Sequence, residues 1–258
     1  MDGTSKNSLA EFGFKISPGG AHISRTMMLE EITALMSAVP ATAGADQYRH
    51  AALEENVIRK ATRTTREKTY RHLRELYGLS PQIPLFAIYR ELLQFDRASP
   101  PLLSLLVAWT RDPLLRGTTK AILNTPEGIE VAKGRIQQAL TEAFPSRYSP
   151  LNIAKIARNA ASTWTQSGHL AGKYRKVRQR VKPKPPAVAL ALLLGHVLGL
   201  HGEEVFRSDW CKILDLSPSE AASLAFQAHR ESLLNMRKVG SVVEISFPRF
   251  QRFLEPAP

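Results

Sequence analysis

Cysteine is almost absent from this chain of 258 residues, which contains a single one, Cys211. One thiol excludes an internal disulfide and a zinc site built from several cysteines. Aromatic residues are also scarce, at 7% of the chain, so the sequence offers no evident stacking platform for single-stranded nucleic acid. These absences predict an intracellular protein that folds by packing alone.

Long hydrophobic runs are missing as well. The longest, residues 187–200, is 14 residues long and is interrupted by Gly195 and His196, whereas a membrane span needs roughly 20 residues. No apolar stretch follows a basic start at the N-terminus, which disfavours a signal peptide. We therefore expect a soluble, cytoplasmic protein with no membrane partner.

The signature sequences of several enzyme classes are absent. The chain has neither a Gly-Lys-Ser/Thr phosphate loop nor a G-x-G-x-x-G sequence. His196 and His201, followed by two glutamates, do not have a recognised metal-ligand spacing, and His169 has no acidic residue near it in the sequence to complete a nucleophilic triad. We therefore expect no catalytic activity, no cofactor and no metal.

Acidic residues are missing from one long stretch of the chain. Between residues 143 and 202 there is no Asp or Glu, and ten basic residues lie there. A second basic segment, residues 59–74, has seven basic residues against Glu67 alone. The net charge of +12 is therefore concentrated in two segments. Because ordinary surfaces mix both signs of charge, this pattern predicts binding of a polyanion, with nucleic acid first.

The sequence does contain a succession of helical patterns separated by turns rich in proline and glycine. They predict a mainly α fold of two or three small helical modules that resemble helix-turn-helix or winged helix-turn-helix units, with short β wings. We expect a flexible N-terminal arm over residues 1–23 and an N-terminal helix-turn-helix-like module over 24–96. A central, basic winged-helix-like module over 97–186 and a C-terminal helical module over 187–258, ending in a β strand, complete the expected organisation.

The first basic segment opens a predicted helix that ends at Gly78. Thr64 and Glu67 have the T-x-x-E spacing of a capping box. Free N–H groups at the start of a helix bind phosphate, and basic side chains there add to that attraction. We therefore predict DNA contacts here, with a helix cap flanked by exposed arginines as the alternative. The predicted contacts are Arg63, Thr64, Thr65, Arg66 and Arg71.

The central module contains the clearest helical pattern. A helix is predicted from about Glu127 to Phe144, and Ser149 followed by Pro150 predicts the start of a second helix that runs to Gln166. This second helix separates apolar from polar residues, as a recognition helix of a winged unit does. The alternative is an amphipathic surface helix whose polar side faces water. The candidate base-reading residues are Lys155, Arg158, Asn159, Ser162 and Gln166.

Residues 169–185 alternate apolar and basic side chains between Gly168 and a proline-rich exit. This alternation predicts a two-stranded wing or an extended ribbon whose basic side chains contact phosphates. In the last third, helices are predicted over 187–200, 203–214 and 218–239, followed by a strand over 242–247. The predicted phosphate contacts of the wing are Lys173, Arg175, Lys176, Arg178 and Arg180.

Residues 53–66, with the sequence LEENVIRKATRTTR, continue to Arg71-His-Leu-Arg, and a glycine-rich arm leads into Met28-Leu-Glu-Glu. Over residues 15–80 the chain resembles the BrxA family of bacterial BREX phage-defence systems. The resemblance implies a non-enzymatic, mostly helical accessory protein that binds double-stranded DNA beside other defence-system proteins, and it carries over no catalytic residue. The alternatives are a protein-interaction scaffold whose basic surface docks an acidic partner of the defence complex, and an RNA-binding protein.

Overall fold

The computed structural model describes residues 3–95, 99–240 and 242–254, with side chains from residue 7 onward. As predicted, the fold of these residues is mainly helical, with two short two-stranded sheets. Buried apolar side chains from Phe12 to Phe250 form one hydrophobic core. The module boundary predicted between residues 96 and 97 lies outside the described residues.

The N-terminal part is a group of helices that covers one side of the core. The prediction of a flexible arm over residues 1–23 is wrong for the residues described here. Phe12 packs into the core, and the short 3-10 helix Ala21–Ile23 buries Ala21 and His22 completely. The reason is a set of hydrogen bonds to distant residues, which the sequence pattern does not register. The helices are α1 (Gly3–Phe12), α2 (Leu29–Ala38), α3 (Ala45–Leu53), α4 (Arg63–Tyr77) and α5 (Pro84–Leu92).

Helix α4 begins and ends at identifiable signals. The predicted capping box of Thr64 and Glu67 is wrong, because Thr62 is the N-cap and its Oγ1 accepts a hydrogen bond from the Thr65 N–H at 3.2 Å. The predicted end at Gly78 is confirmed. Gly78 has φ +89°, a conformation that glycine adopts without the strain of a side chain.

Two apolar helices, α6 (Pro100–Arg111) and α11 (Pro185–Val197), pack against each other inside the molecule. Every residue of α11 from Pro186 to Gly195 is buried, which explains why its sequence is hydrophobic on all sides. Within the described ranges, no single helix is long and apolar enough to cross a membrane. Helix α11 and residues 202–213 reach the required length and hydropathy when they are taken together. The chain bends by 117° between them.

The central unit consists of helices followed by a short two-stranded sheet. Strands β1 (Leu170–Ala171) and β2 (Val177–Arg178) pair antiparallel, and residues 128–131 lie along the other side of β2. There the Val131 N–H donates to the Lys176 carbonyl at 2.7 Å, and the Arg178 N–H donates to the Ile129 carbonyl at 2.9 Å. The elements are α7 (Pro113–Arg116), α8 (Thr119–Leu123), α9 (Lys133–Ala143), α10 (Pro150–Gln166), β1 (Leu170–Ala171) and β2 (Val177–Arg178).

The predicted elements of the central unit are largely confirmed. Ser149 caps α10 by accepting a hydrogen bond from the Asn152 N–H, and Pro150 is the first helical residue. The exception is the helix predicted from Glu127, which begins at Lys133 instead. The preceding residues pair with β2 and are therefore extended.

The C-terminal unit repeats the order of two helices followed by a hairpin. The predicted capping box of Ser217 and Glu220 is present at the start of α13 (Pro218–Arg230). The helix predicted over 218–239 is wrong in its last part, because α13 ends at Arg230 and Ser232, with φ +57°, reverses the chain into a strand. The elements are the 3-10 helix Gly202–Arg207, α12 (Asp209–Ile213), α13 (Pro218–Arg230), β3 (Asn235–Val239), β4 (Val242–Ser246), the 3-10 helix Pro248–Phe250 and α14 (Gln251–Leu254).

Candidate nucleic-acid interface

Helix α10 has an open side along its N-terminal half. Its apolar stripe, which includes Ile156 and Trp164, faces the core. The opposite side exposes Leu151, which is 84% accessible, together with Asn152, Lys155 and Arg158. Lys155 and Arg158 form no ion pair within the described parts of the chain. This side therefore presents two free cations and a free amide next to a large apolar side chain.

The C-terminal half of α10 is covered, which corrects the prediction that Asn159 and Gln166 read bases. The Asn159 amide donates to the His22 carbonyl at 2.9 Å. Gln166 accepts from the Leu29 N–H at 3.1 Å and donates to the Thr26 hydroxyl at 3.1 Å. Both side chains thus bind the N-terminal segment, residues 20–29, to α10. Ser162 is half-buried and lies 3.5 Å from the Gln166 amide.

The N-terminal segment is fixed on α10 by buried polar side chains. The His22 ring lies between Asp112 and Thr163, with Nδ1 at 2.7 Å from the carboxylate and Nε2 at 2.8 Å from the hydroxyl. The Thr163 hydroxyl also accepts from the Met27 N–H at 2.8 Å. All of these groups are shielded from solvent. Although the three side chains resemble a catalytic triad in type, their complete burial gives them a structural role.

The wing, formed by β1, β2 and the turn between them, lies beside the open side of α10. Tyr174 at its tip is 80% exposed, and the Lys173 ammonium lies 5.4 Å from the centre of that ring. Arg175 is exposed and pairs with Glu130 at 2.8 Å. Gly172 has φ +99°, and a Cβ there would collide with the Arg175 carbonyl, so the tight turn requires glycine. Lys173 and Arg175 therefore remain accessible to a phosphate.

Three predicted phosphate contacts of the wing have partners within the chain. Arg178 is buried and forms an ion pair with Asp215. Arg180 pairs with Glu220 and donates to the Asp215 carbonyl at 3.0 Å. Lys176 donates to the Gly172 carbonyl at 2.7 Å, and partial burial lowers the pKa of its ammonium. The prediction is corrected for Arg178, which is buried, because periodicity along the wing does not show which side faces the rest of the molecule. Arg180 is exposed, and its phosphate contact stays a prediction.

Two cations of the first basic segment form ion pairs with neighbouring glutamates. Arg63 pairs with Glu54 and Glu67, each at 3.2 Å, and Lys60 pairs with Glu31 at 2.6 Å. Because the two pairs of Arg63 are exposed and therefore weak, its phosphate contact stays a prediction.

The remaining predicted contacts on α4 divide into two groups. Arg66 donates to the Leu53 and Lys60 carbonyls, and Thr65 is engaged in the helix cap. These two are therefore structural, which corrects the prediction for them. Thr64 and Arg71 remain exposed. The basic surface of the N-terminal part is consequently smaller than its sequence suggests.

The open residues at the start of α10 were not among the predicted DNA contacts. Leu151 and Asn152 lie on the same side of the helix as Lys155, because residues three and four apart are neighbours on a helix. Lys133 at the start of α9 and the exposed Arg147 in the turn between the helices were also missed. The sequence signal for this surface was the leucine that directly follows the N-cap Ser149 and Pro150.

Neither the family models nor the curated proteins contain a match to this chain. Within the described residues, no three His, Cys, Asp or Glu side chains are grouped as metal ligands would be.

Proposed function

We propose that this chain binds double-stranded DNA through its central winged-helix unit. The observation that carries the proposal is the open N-terminal half of α10 beside the basic wing. In helix-turn-helix proteins the N-terminal residues of the second helix contact base edges in the major groove. A wing at the end of that helix then lies against the adjacent phosphate backbone.

The residue types suit these two tasks. Asn152 carries the amide that pairs with adenine in the major groove, and the exposed Leu151 suits contact with the methyl group of thymine. Lys155 and Arg158 suit guanine or phosphate, whereas Lys173 and Arg175 suit phosphate. Because the ion pair of Arg175 with Glu130 is exposed, exchanging that carboxylate for a phosphate costs little. Most of the affinity then comes from phosphate contacts and the preference for sequence is modest.

The dependence of affinity on salt tests this proposal. The variant with Lys155, Arg158 and Lys173 all replaced by Ala should lower the slope of log K against log salt by about 1–3. Each phosphate contact contributes about 0.9, and Lys155 and Arg158 contact either phosphate or guanine. A matched control replaces Lys120 and Arg230, two exposed cations elsewhere, by Ala and should keep the wild-type slope. The measurement is fluorescence anisotropy with a labelled 20-base-pair duplex at several salt concentrations.

Two results would contradict the proposal. One is an affinity for duplex DNA that does not depend on salt. The other is an unchanged slope in the triple variant together with competition by polyglutamate as strong as that by DNA, which would support docking of an acidic protein partner instead. Stronger binding of duplex RNA than of duplex DNA would identify RNA as the ligand of this site.

We further propose that the chain is a non-enzymatic accessory protein of a BREX-type phage-defence system and acts with other proteins of that system. The support is the resemblance of residues 28–31 and 53–74 to the BrxA family, together with the absence of phosphate-loop and dinucleotide-binding motifs. In cells that carry such a system with this chain as its BrxA component, the triple variant should reduce protection against phage at least tenfold. Undiminished protection would contradict this role.

A further inference from the structure

A cavity of about 480 Å³ lies between α9, α10 and the wing. Its size is within the range of small-molecule sites in proteins, which is about 300–1,000 Å³. The wall is apolar and is formed by small residues of α10 opposite larger residues that precede or belong to α9. These wall residues are Val131, Ile136, Ala154, Ala157 and Ala161.

The alanines of α10 are what create this space. Ala154, Ala157 and Ala161 recur at the spacing of one helix side, so a strip of α10 has no side chain beyond Cβ. On the opposite wall Val131 and Ile136 are buried. The hydrogen bond from the Val131 N–H to the Lys176 carbonyl, at 2.7 Å, holds the wing over the open end. The backbone of the wing and the two helices thus fix the width of the cavity.

The mouth of the cavity is strongly basic. Four cations line it, and none of the described lining residues is acidic; the four are Lys133, Arg158, Lys173 and Lys176. Gln137 and Ser162 add neutral hydrogen-bonding groups along the wall, and the exposed ring of Tyr174 stands at the rim. The cavity therefore combines an apolar slot, two neutral polar groups and a ring of positive charge.

We propose that this cavity binds one nucleotide, with its base between the apolar walls and its phosphate among the four cations. A planar base uses the apolar walls, and its edge has donors and acceptors for Gln137 and Ser162. Inorganic phosphate or a sugar phosphate has no planar group that would contact the apolar walls. The nucleotide is either free in solution or an unpaired nucleotide of a bound strand. The second case rests on the proposed DNA-binding function, because the two sites share Arg158 and Lys173.

Titration calorimetry with 2′-deoxynucleoside 5′-monophosphates tests the free form. Binding should be at least tenfold tighter than that of 2-deoxyribose 5-phosphate or inorganic phosphate, which have no base. Ala161→Leu should fill the slot and abolish nucleotide binding, and Lys133→Ala should weaken it several-fold without touching the wall. The matched control is Ala222→Leu, at a half-buried alanine of α13, which should bind like the wild type. Lys133 is exposed, so its variant tests the site even where Ala161→Leu lowers stability.

Anisotropy with two duplexes tests the strand-bound form. A duplex with a single-nucleotide bulge should bind about tenfold more tightly than the fully paired duplex, and Ala161→Leu should remove that advantage while leaving the paired duplex unaffected. Equal binding of inorganic phosphate and the mononucleotide, or no mononucleotide binding and no advantage of the bulge, would overturn the nucleotide site. If neither the mononucleotide nor the bulge gives the expected binding, binding of the fully paired duplex would still support the proposed function. Binding of the mononucleotide without binding of any duplex would support the cavity and overturn the proposed function.

Discussion

Asp112 is buried, yet its carboxylate is well supplied with hydrogen-bond donors. It accepts from the His22 ring at 2.7 Å, from the His22 N–H at 3.0 Å and from the Leu114 N–H at 2.9 Å. Burial alone would raise the pKa of Asp112, but the His22 ring and hydrogen bonds from His22 and the Leu115 N–H outweigh it and lower the pKa. The ionised side chain is therefore stable only while the N-terminal segment is in place.

Asp112→Asn tests this dependence. The amide removes the charge, and its N–H₂ group faces the N–H donors that the carboxylate accepts from. The free energy of unfolding should therefore fall by about 3–5 kcal/mol. Urea denaturation followed by circular dichroism measures the loss. Asp46→Asn, at an exposed aspartate in the first turn of α3, is the control and should change stability by less than about 0.5 kcal/mol. A loss below about 1 kcal/mol for Asp112→Asn would contradict this interpretation.

At the scale of the element, helix α10 has three distinct sides besides the apolar stripe that faces the core. One side holds the N-terminal segment through Asn159, Thr163 and Gln166. A second side borders the cavity with its alanines, and the stripe between them is open from Leu151 to Arg158. We therefore expect two asparagines seven positions apart on one helix to have different roles.

Asn152→Ala and Asn159→Ala should separate these roles. Asn152→Ala should reduce the preference between two duplexes of different sequence by about 1–3 kcal/mol and leave stability unchanged. Asn159→Ala should leave the preference unchanged and lower stability by about 1 kcal/mol, because the His22 carbonyl loses its donor. Anisotropy on the two duplexes and urea denaturation of both variants measure these effects. If Asn159→Ala changes the preference between the two duplexes and leaves stability unchanged, Asn159 is a base-reading residue after all.

Local signals explain which elements could be predicted from the sequence. The starts of α10 and α13 and the end of α4 depend on Ser149, Ser217 and Gly78, whose effects extend over one helical turn. The roles of Asn159 and Gln166 depend on partners 137 residues away. Helical periodicity shows that a side is polar, but it does not show whether solvent or another segment covers it. For this reason the sequence predicted helix α10 correctly but not which of its polar residues are open to solvent.

The central and C-terminal units are joined by buried polar contacts at the scale of the whole molecule. The His169 Nε2 atom donates to the Ile213 carbonyl at 2.7 Å, so Nδ1 accepts from the Ser167 hydroxyl at 2.8 Å. Asp215, with φ +58°, accepts from the Val181 N–H at 3.0 Å and pairs with Arg178. These contacts fix the wing of the central unit against the loop that follows α12.

The burial of His169 predicts a dependence of stability on pH. Burial is the main cause that lowers the pKa of His169 to about 4 in the folded chain, compared with about 6.5 in the unfolded chain. Between these values only the unfolded chain takes up the proton, so stability falls as the pH decreases. The loss between about pH 6.5 and 4 should be about 3 kcal/mol.

Urea denaturation at several pH values measures this loss. His169→Gln keeps an amide donor for the Ile213 carbonyl and does not titrate, so its stability should depend less on pH over this window. The exposed His50, replaced by Gln, is the control and should keep the wild-type dependence. An equal dependence in His169→Gln and the wild type would contradict the assignment.

The contact between His22 and Thr163 also has a consequence for folding during synthesis. These two residues are 141 positions apart, and ribosomes add about 5–20 residues per second. The N-terminal segment is therefore synthesised about 7–28 s before its binding site on α10. During that interval its polar groups are hydrated and its backbone is open to proteases. We expect the nascent chain to become resistant to cleavage near His22 only after α10 has left the ribosome.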